Sequence, residues 1–252
     1  MIEDTTIYLL TSAALGPAAV GLLLATRRLG RASRRYGYAA VLACGAMTVT
    51  YLLMSRGLWT VETTGNDESV VRFLGYTVAW AGISYVLGAV ADAGPKRTAA
   101  VFVCSMGTLW ATFGGWVFGG TAGTVISLTM VLSFVGLVYL LVGPLARTAA
   151  TVSERRGLLY RKLEYLILLA WAGLLLLGLV SAQNLALTDN FVGQFAASYV
   201  DLVLFVGFGG LVVRNEAALE ETAATTRLLP FSTDDGATDS GEESAGRTDT
   251  AS

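Results

Sequence analysis

The chain has 252 residues, of which 54% are hydrophobic and 14% are charged, with a mean hydropathy of +0.61 and a formal charge of −2. A soluble domain averages about 25% charged residues, so this composition, spread over many separate apolar runs, excludes a soluble domain and indicates a polytopic membrane protein. The chain has no histidine, and its two cysteines lie in different apolar runs, so a zinc or haem site has no ligand set. The sequence offers no motif that supports enzyme activity.

Seven runs of about 20 apolar residues predict seven transmembrane helices. Their approximate ranges are 7–26, 36–56, 70–92, 98–118, 123–146, 158–182 and 191–213. No run alternates apolar and polar residues with a period of two, which excludes a transmembrane barrel. We therefore predict an all-α, seven-helix, multi-pass protein of the cell membrane, with the lipid bilayer as its surroundings and no nucleic-acid partner.

The charges of the connections predict the orientation of the bundle. The first, third and fifth connections are basic through Arg27, Arg28, Arg31, Arg34, Arg35, Lys96, Arg97, Arg147, Arg155 and Arg156. The other three are acidic or uncharged, with Glu62, Asp67, Glu68 and Asp189. By the positive-inside rule the basic connections are cytoplasmic, which predicts an N-terminus outside and a C-terminus in the cytoplasm.

The composition changes after the last span, so that residues 1–215 form the predicted transmembrane domain and residues 216–252 an acidic cytoplasmic tail. Residues 216–227 have the composition of a helical extension of the last span. Beyond about residue 230 the content of Asp, Glu, Ser, Thr and Gly predicts disorder. The use of 15 arginines against two lysines, together with this tail, is typical of a salt-adapted organism such as a halophilic archaeon.

The last span carries one acid, Asp201, at its centre. A carboxyl group at the middle of a membrane costs about 3 kcal/mol even on insertion scales, and such groups face the protein interior and are functional. The residues from Asp201 through Phe205 to Gly207-Phe208-Gly209 resemble the last helix of the microbial (type 1) rhodopsins, whose pattern is Asp-x-x-x-Lys-x-Gly-Phe-Gly. In that family the lysine carries retinal as a Schiff base. Phe205 stands at the lysine position here.

The third span extends the resemblance, which covers residues 1 to about 215 and implies the rhodopsin fold. Arg72 matches an arginine of the family, but Gly75 stands at the place of the primary proton acceptor and Val86 at that of the proton donor. The family absorbs light to pump ions, to gate a channel or to signal through a transducer. Each of these activities depends on residues that this chain has replaced.

The sixth span indicates a chromophore pocket that has lost part of its lining. Trp171 matches a tryptophan that packs against the retinal ring, whereas Leu174 and Gly178 replace aromatic residues of the family pattern. The complete predicted set of this degenerate pocket is Gly75, Tyr76, Trp80, Trp171, Leu174, Gly178, Asp201 and Phe205. We expect Gly75 and Gly178 to open space in it. Plain packing of aromatic residues between helices is the alternative interpretation of the cluster.

A buried ion pair is expected between Asp201 and Arg72, with Tyr51 of the second span as a hydrogen-bond donor to the carboxylate. An unpaired charge in the membrane interior is unfavourable, so that Asp201 requires a partner once the lysine is missing. The pair is either a structural link between the third and seventh helices or the remainder of an ion pathway.

We predict that no cofactor is covalently bound, because the only lysines, Lys96 and Lys162, lie at the predicted cytoplasmic ends of spans. The leading interpretation is an opsin-like membrane protein that does not pump and that regulates or binds another membrane protein or a second copy of itself. A lipid-facing stripe of small residues is the predicted contact, with the candidates Gly107, Gly114, Gly115 and Gly136.

Two alternatives are kept open. In the first, retinal or another isoprenoid binds non-covalently in the remaining cavity, where Phe205 fills the space of the lysine chain. In the second, residual photosensory function or ion transport persists along Arg72 and Asp201. One internal acid and an apolar cytoplasmic half disfavour the transport alternative.

Overall fold

The computed structural model describes residues 4–63, 66–181 and 184–225. In these ranges seven helices are long and apolar enough to cross a membrane: α1 Asp4–Arg28, α2 Arg34–Met54, α3 Val70–Val90, α4 Gly94–Val117, α5 Gly120–Val152, α6 Glu154–Val180 and α7 Asn190–Arg214. The predicted seven-helix membrane bundle is confirmed. A shorter helix, α8 (Glu216–Thr225), follows, and the tail that we expected to be disordered beyond about 230 lies outside the described residues.

The connection between α2 and α3 forms a two-stranded antiparallel hairpin that the sequence pattern did not predict. Strand β1 (Thr60–Thr63) pairs with β2 (Asn66–Ser69). Strand β2 contains no apolar residue, so it has no alternation of apolar and polar residues to recognise. The backbone N–H of Val70 donates to the carbonyl of Trp59 at 2.9 Å, so that α3 starts directly from the hairpin. We call this end of the bundle the hairpin end and the opposite end the α8 end.

Helix α5 contains a π-helical turn, Leu141–Leu145, which includes Pro144. Proline lacks an N–H group and would interrupt α-helical hydrogen bonding. The wider turn accommodates it, and the helix continues to Val152 instead of ending near residue 146 as predicted. The phenol of Tyr160 in α6 donates to the carbonyl of Leu141 at 2.7 Å, which satisfies a backbone group that lipid could not satisfy.

The interior of the bundle is built around α3, since 72% of its span is buried inside the protein against 11% for α5. Glycine permits the close approach of α3 to α2. A Cβ atom built on Gly82 would lie 2.7 Å from the backbone carbonyl oxygen of Ala39. Small residues at helix contacts are the usual means of packing in a membrane, where apolar burial gives helices no preference for each other over lipid.

The glycines of α4 and α5 pack against each other's helices rather than facing lipid. A Cβ atom on Gly107, Gly114 or Gly115 would meet a side chain of α5, and one on Gly136 would lie 3.3 Å from Sγ of Cys104 in α4. These four residues therefore hold α4 against α5 within one chain. The expectation that they form a lipid-facing surface for a partner is wrong.

Arg156 and α8 close the other end of the bundle. The predicted connection residue Arg156 lies in α6 with 1% of its surface exposed. Its guanidinium donates to the carbonyls of Ala89 (2.8 Å) and Val90 (3.1 Å) at the end of α3, and to Oγ1 of Thr225 in α8 (2.7 Å). Leu219 of α8 is fully buried, so residues 216–225, which we had assigned to an extension or tail, pack on the bundle as a separate helix.

Candidate functional site

Asp201 is held by two tyrosines in the middle of the bundle. Its carboxylate, with no exposed surface, accepts a hydrogen bond from the phenol of Tyr51 in α2 at 2.6 Å. The phenol of Tyr76 in α3 lies 2.8 Å from Oδ1 and 2.7 Å from Oδ2 of the same carboxylate. We call these three residues the carboxylate cluster. Two neutral donors from neighbouring helices thus satisfy an acid that is removed from water and lipid.

Phe205 lies one helical turn beyond Asp201 and is fully buried. Its ring centroid is 6.3 Å from that of Tyr76, with the planes tilted by 31°. Phe208, of the Gly-Phe-Gly pattern, is also fully buried. The position at which the family pattern has lysine is therefore occupied by an aromatic side chain that packs beside the carboxylate cluster.

The expected ion pair between Arg72 and Asp201 is not formed in the structure. Arg72 pairs instead with Glu68, at 3.5 Å between Nη1 and Oε2, and donates from Nη2 to the amide oxygen of Gln194. The amide nitrogen of Gln194 donates in turn to Glu68 at 3.3 Å. The guanidinium also lies over the ring of Tyr8, 5.7 Å from its centroid.

The helical rise explains why Arg72 misses its expected partner. Arg72 precedes Tyr76 by one turn of α3, about 6 Å toward the hairpin end, and Gln194 precedes Asp201 by two turns of α7. Tyr76 therefore lies at the level of Asp201, whereas Arg72 lies closer to the level of Gln194. The sequence signal for this arrangement is Gln194, a polar residue inside an apolar run, which the predicted site did not include.

The aromatic residues of the predicted pocket lie next to each other at mid-bundle. The rings of Trp80 and Trp171 have centroids 5.3 Å apart, and Phe134 of α5 packs against Trp171 at 6.2 Å. Gly75, by contrast, opens no space, because a Cβ atom there would overlap the side chain of Thr50 in α2. That part of the pocket prediction is wrong, since the space is used for packing α3 against α2.

A cavity of about 520 Å³ lies among α3 to α7, toward the hairpin end. From the predicted pocket set it is lined by Tyr76, Trp171, Leu174 and Gly178, whereas Gly75, Trp80, Asp201 and Phe205 do not line it. Arg72, Glu68 and Gln194 lie at its polar side. Tyr76 lines the cavity and also contacts both Asp201 and Phe205, so it is the member of the carboxylate cluster that reaches the cavity wall.

A membrane-spanning bundle of seven helices, with a buried carboxylate at the centre of the last helix and a cavity among α3 to α7, defines a protein of the opsin type. A family model described as bacteriorhodopsin-like protein matches residues 3–219. The chain belongs to this family, and the resemblance read from its motifs is confirmed.

Individual relatives agree with this assignment. The chain is 27% identical over 219 residues to sensory rhodopsin-2 of Natronomonas pharaonis. The matched region covers 87% of this chain and 92% of that relative. It is 26% identical over 166 residues to sensory rhodopsin-2 of Haloarcula vallismortis, covering 66% and 70%. The crystal structure of thermophilic rhodopsin from Rubrobacter xylanophilus superimposes with a TM-score of 0.81 at 17% identity, over 88% of this chain and all of that chain.

We predict that Tyr51→Phe and Tyr76→Phe each destabilise the bundle. Either change removes a hydrogen bond to a buried carboxylate, which we expect to lower the free energy of unfolding by about 1.5–3 kcal/mol. Thermal or denaturant unfolding in detergent measures the effect. Tyr199→Phe is the matched control, since Tyr199 is 64% exposed in the same helix as Asp201. Equal stability of all three variants would contradict the assigned role of the cluster.

Proposed function

We propose that the protein is an opsin-like membrane protein that works without a retinal Schiff base, does not pump ions, and acts as a regulatory or interaction partner in the membrane. The observation that carries this proposal is the packing of Phe205 beside a carboxylate that already has two hydrogen-bond donors. Such a carboxylate has no requirement for a cationic amine beside it.

The residues of this chain do not fit a covalently bound retinal. Family members normally carry retinal on a lysine, and Phe205 has no amine. Lys96 and Lys162 are both exposed, in the parts of α4 and α6 nearest the α8 end. Lys162 precedes Trp171 by nine residues, which places it about 13 Å along the helix from the level of the cavity.

The positions required for proton transport support a protein that does not pump. Gly75, at the acceptor position, contacts Thr50, and Val86, at the donor position, is apolar and fully buried. Proton transfer needs groups of matched pKa within hydrogen-bond reach of each other, and these two residues offer none. The relatives from Natronomonas pharaonis and Haloarcula vallismortis are named sensory rhodopsin-2, which favours signalling through another protein over transport.

The partner role predicts a specific neighbour in the native membrane. After cross-linking in intact membranes, we expect one other membrane protein, or a second copy of this chain, to be recovered at a constant ratio. A pigmented member of the family expressed at the same level is the control for random collisions. Recovery of only the uncross-linked chain, or of the same products with the control, would contradict the partner role.

We predict that Phe205→Lys gives the protein a visible absorption band when retinal is added. Asp201 lies one turn away and would supply the negative charge that a protonated Schiff base requires. The band should disappear with hydroxylamine, and Phe205→Met, which lacks an amine, is the colourless control. An additional acid at position 75 is not compatible with the fold, because a Gly75→Asp side chain would overlap Thr50. A folded but colourless Phe205→Lys protein would show that the site has lost the family geometry.

The cavity supports a second candidate function, non-covalent binding of retinal or another isoprenoid. Its volume of about 520 Å³ falls within the range of roughly 300–1,000 Å³ that is usual for ligand pockets. Two buried donors on its wall, Nε1 of Trp171 and Nε of Arg72, have no hydrogen-bond partner among the described residues. An apolar molecule with one acceptor oxygen has the chemistry that these donors would bind.

Gly178→Leu tests this second candidate. No atom lies within 4 Å of a Cβ atom built on Gly178, so that the leucine would extend into the cavity without disturbing its neighbours. We expect retinol to raise the Tm of the wild-type protein, and the substitution to weaken its binding roughly tenfold or more. Gly21→Leu is the control, because Gly21 is exposed in α1, away from the cavity, and no atom lies within 4 Å of a Cβ atom built on it. No stabilisation of the wild type by retinol or retinal would exclude binding of a retinoid in this cavity.

A further inference from the structure

An open cleft of about 680 Å³ lies at the α8 end, between the start of α6 and the junction of α7 with α8. Three cationic residues line it, Arg155 and Lys162 from α6 and Arg214 from the end of α7. We call this the basic cleft. It is separate from the carboxylate cluster and the cavity, which lie at mid-bundle and toward the hairpin end.

Two of the three cations form no ion pair within the part of the chain that the structure describes. Arg155 pairs with Glu221 at 3.6 Å, but among the described residues neither Lys162 nor Arg214 takes part in an ion pair. Both side chains are exposed. Fixed cations at the end of a membrane span attract anionic groups at the bilayer surface, where each contributes about 1 kcal/mol.

The acids that line the cleft are directed toward the α1–α2 connection. The carboxylate of Glu216 accepts a hydrogen bond from the backbone N–H of Gly30 at 3.2 Å. Oε1 of Glu220 lies 3.1 Å from the position of a Cβ atom built on the same glycine. Glu216 is thus hydrogen-bonded at Gly30, and in the described part of the chain neither acid forms an ion pair with Lys162 or Arg214. These two cations are therefore available to an external anion.

An apolar surface continues from the cleft along the outside of α6 and α7. Leu158 lines the cleft itself, and Tyr165 and Leu169 follow it on the exposed face of α6, at 67% and 68% exposure. On α7, Val206 is exposed one helical turn before Gly210. The surface beside Gly210 is open, since no atom lies within 4 Å of a Cβ atom built on it. The surface beside the cations thus changes from polar to apolar in the direction of the membrane interior.

We infer that the basic cleft binds the phosphate headgroup of an anionic phospholipid, with Lys162 and Arg214 as its ligands and the acyl chains along the exposed faces of α6 and α7. The polar-to-apolar order of the surface matches an amphiphile rather than a soluble anion. This inference is independent of the proposed function, since it involves neither Phe205 nor the cavity.

Native mass spectrometry of the full-length protein in detergent, titrated with phosphatidylglycerol, tests the inference. We expect retained lipid on the wild type and binding about thirtyfold weaker in Lys162→Gln/Arg214→Gln, from about 1 kcal/mol for each cation. Both side chains are exposed, so the variant should fold. Arg147→Gln, an exposed cation at the same end of α5, should bind as the wild type does, and phosphatidylcholine should bind weakly to all three.

Several results would overturn the inference. Equal binding of phosphatidylglycerol by the wild type and the double variant would remove the cations as ligands. An equal loss in Arg147→Gln would show a general attraction to anionic lipid. If glycerol 3-phosphate displaced phosphatidylglycerol at the same concentrations at which the lipid saturates the site, the cleft would be a site for a soluble anion. Unchanged lipid binding with loss of a co-purified membrane protein would assign the cleft to that protein.

Discussion

The hydrogen bonds from Tyr51 and Tyr76 to Asp201 are the interaction on which the rest of the site depends. A carboxylate at the centre of a membrane bundle must be compensated by a cation or by hydrogen-bond donors. Here two phenols provide the compensation, at 2.6 Å and at 2.7–2.8 Å. Phe205 can then be apolar, and Arg72 can pair with Glu68 and Gln194 closer to the hairpin end.

The same arrangement separates two parts of the interior. Tyr76 donates to Asp201 on one side and lines the cavity on the other. The cavity therefore retains an apolar wall with Trp171 and Leu174, but neither Asp201 nor Phe205 contributes to it. Tyr76 is shared by the two parts, so a substitution there affects both the compensation of the buried charge and the wall of the cavity. Tyr51 belongs only to the carboxylate cluster and Gly178 only to the cavity wall.

The sequence predicted the seven spans and the family because both depend on long apolar runs and on local motifs such as Gly207-Phe208-Gly209. It did not predict which residues face each other. In a membrane protein the interior and the lipid-facing surface are both apolar, so hydrophobic periodicity does not distinguish them. That is why no sequence pattern shows that the glycines of α4 and α5 pack between these two helices, or that Gly75 packs against Thr50. The burial of Arg156 depends on contacts with α3 and α8, which are remote in sequence.

The central claim is that this protein works without a retinal Schiff base. Its most direct test is mass spectrometry of the intact wild-type protein, after native membranes have been incubated with retinal and reduced with borohydride. Borohydride converts a Schiff base to a stable secondary amine and leaves non-covalently bound retinal removable. We predict that the protein retains its unmodified mass, because no buried amine is available at position 205. A retinyl adduct on the membrane-spanning part of the chain would contradict the account.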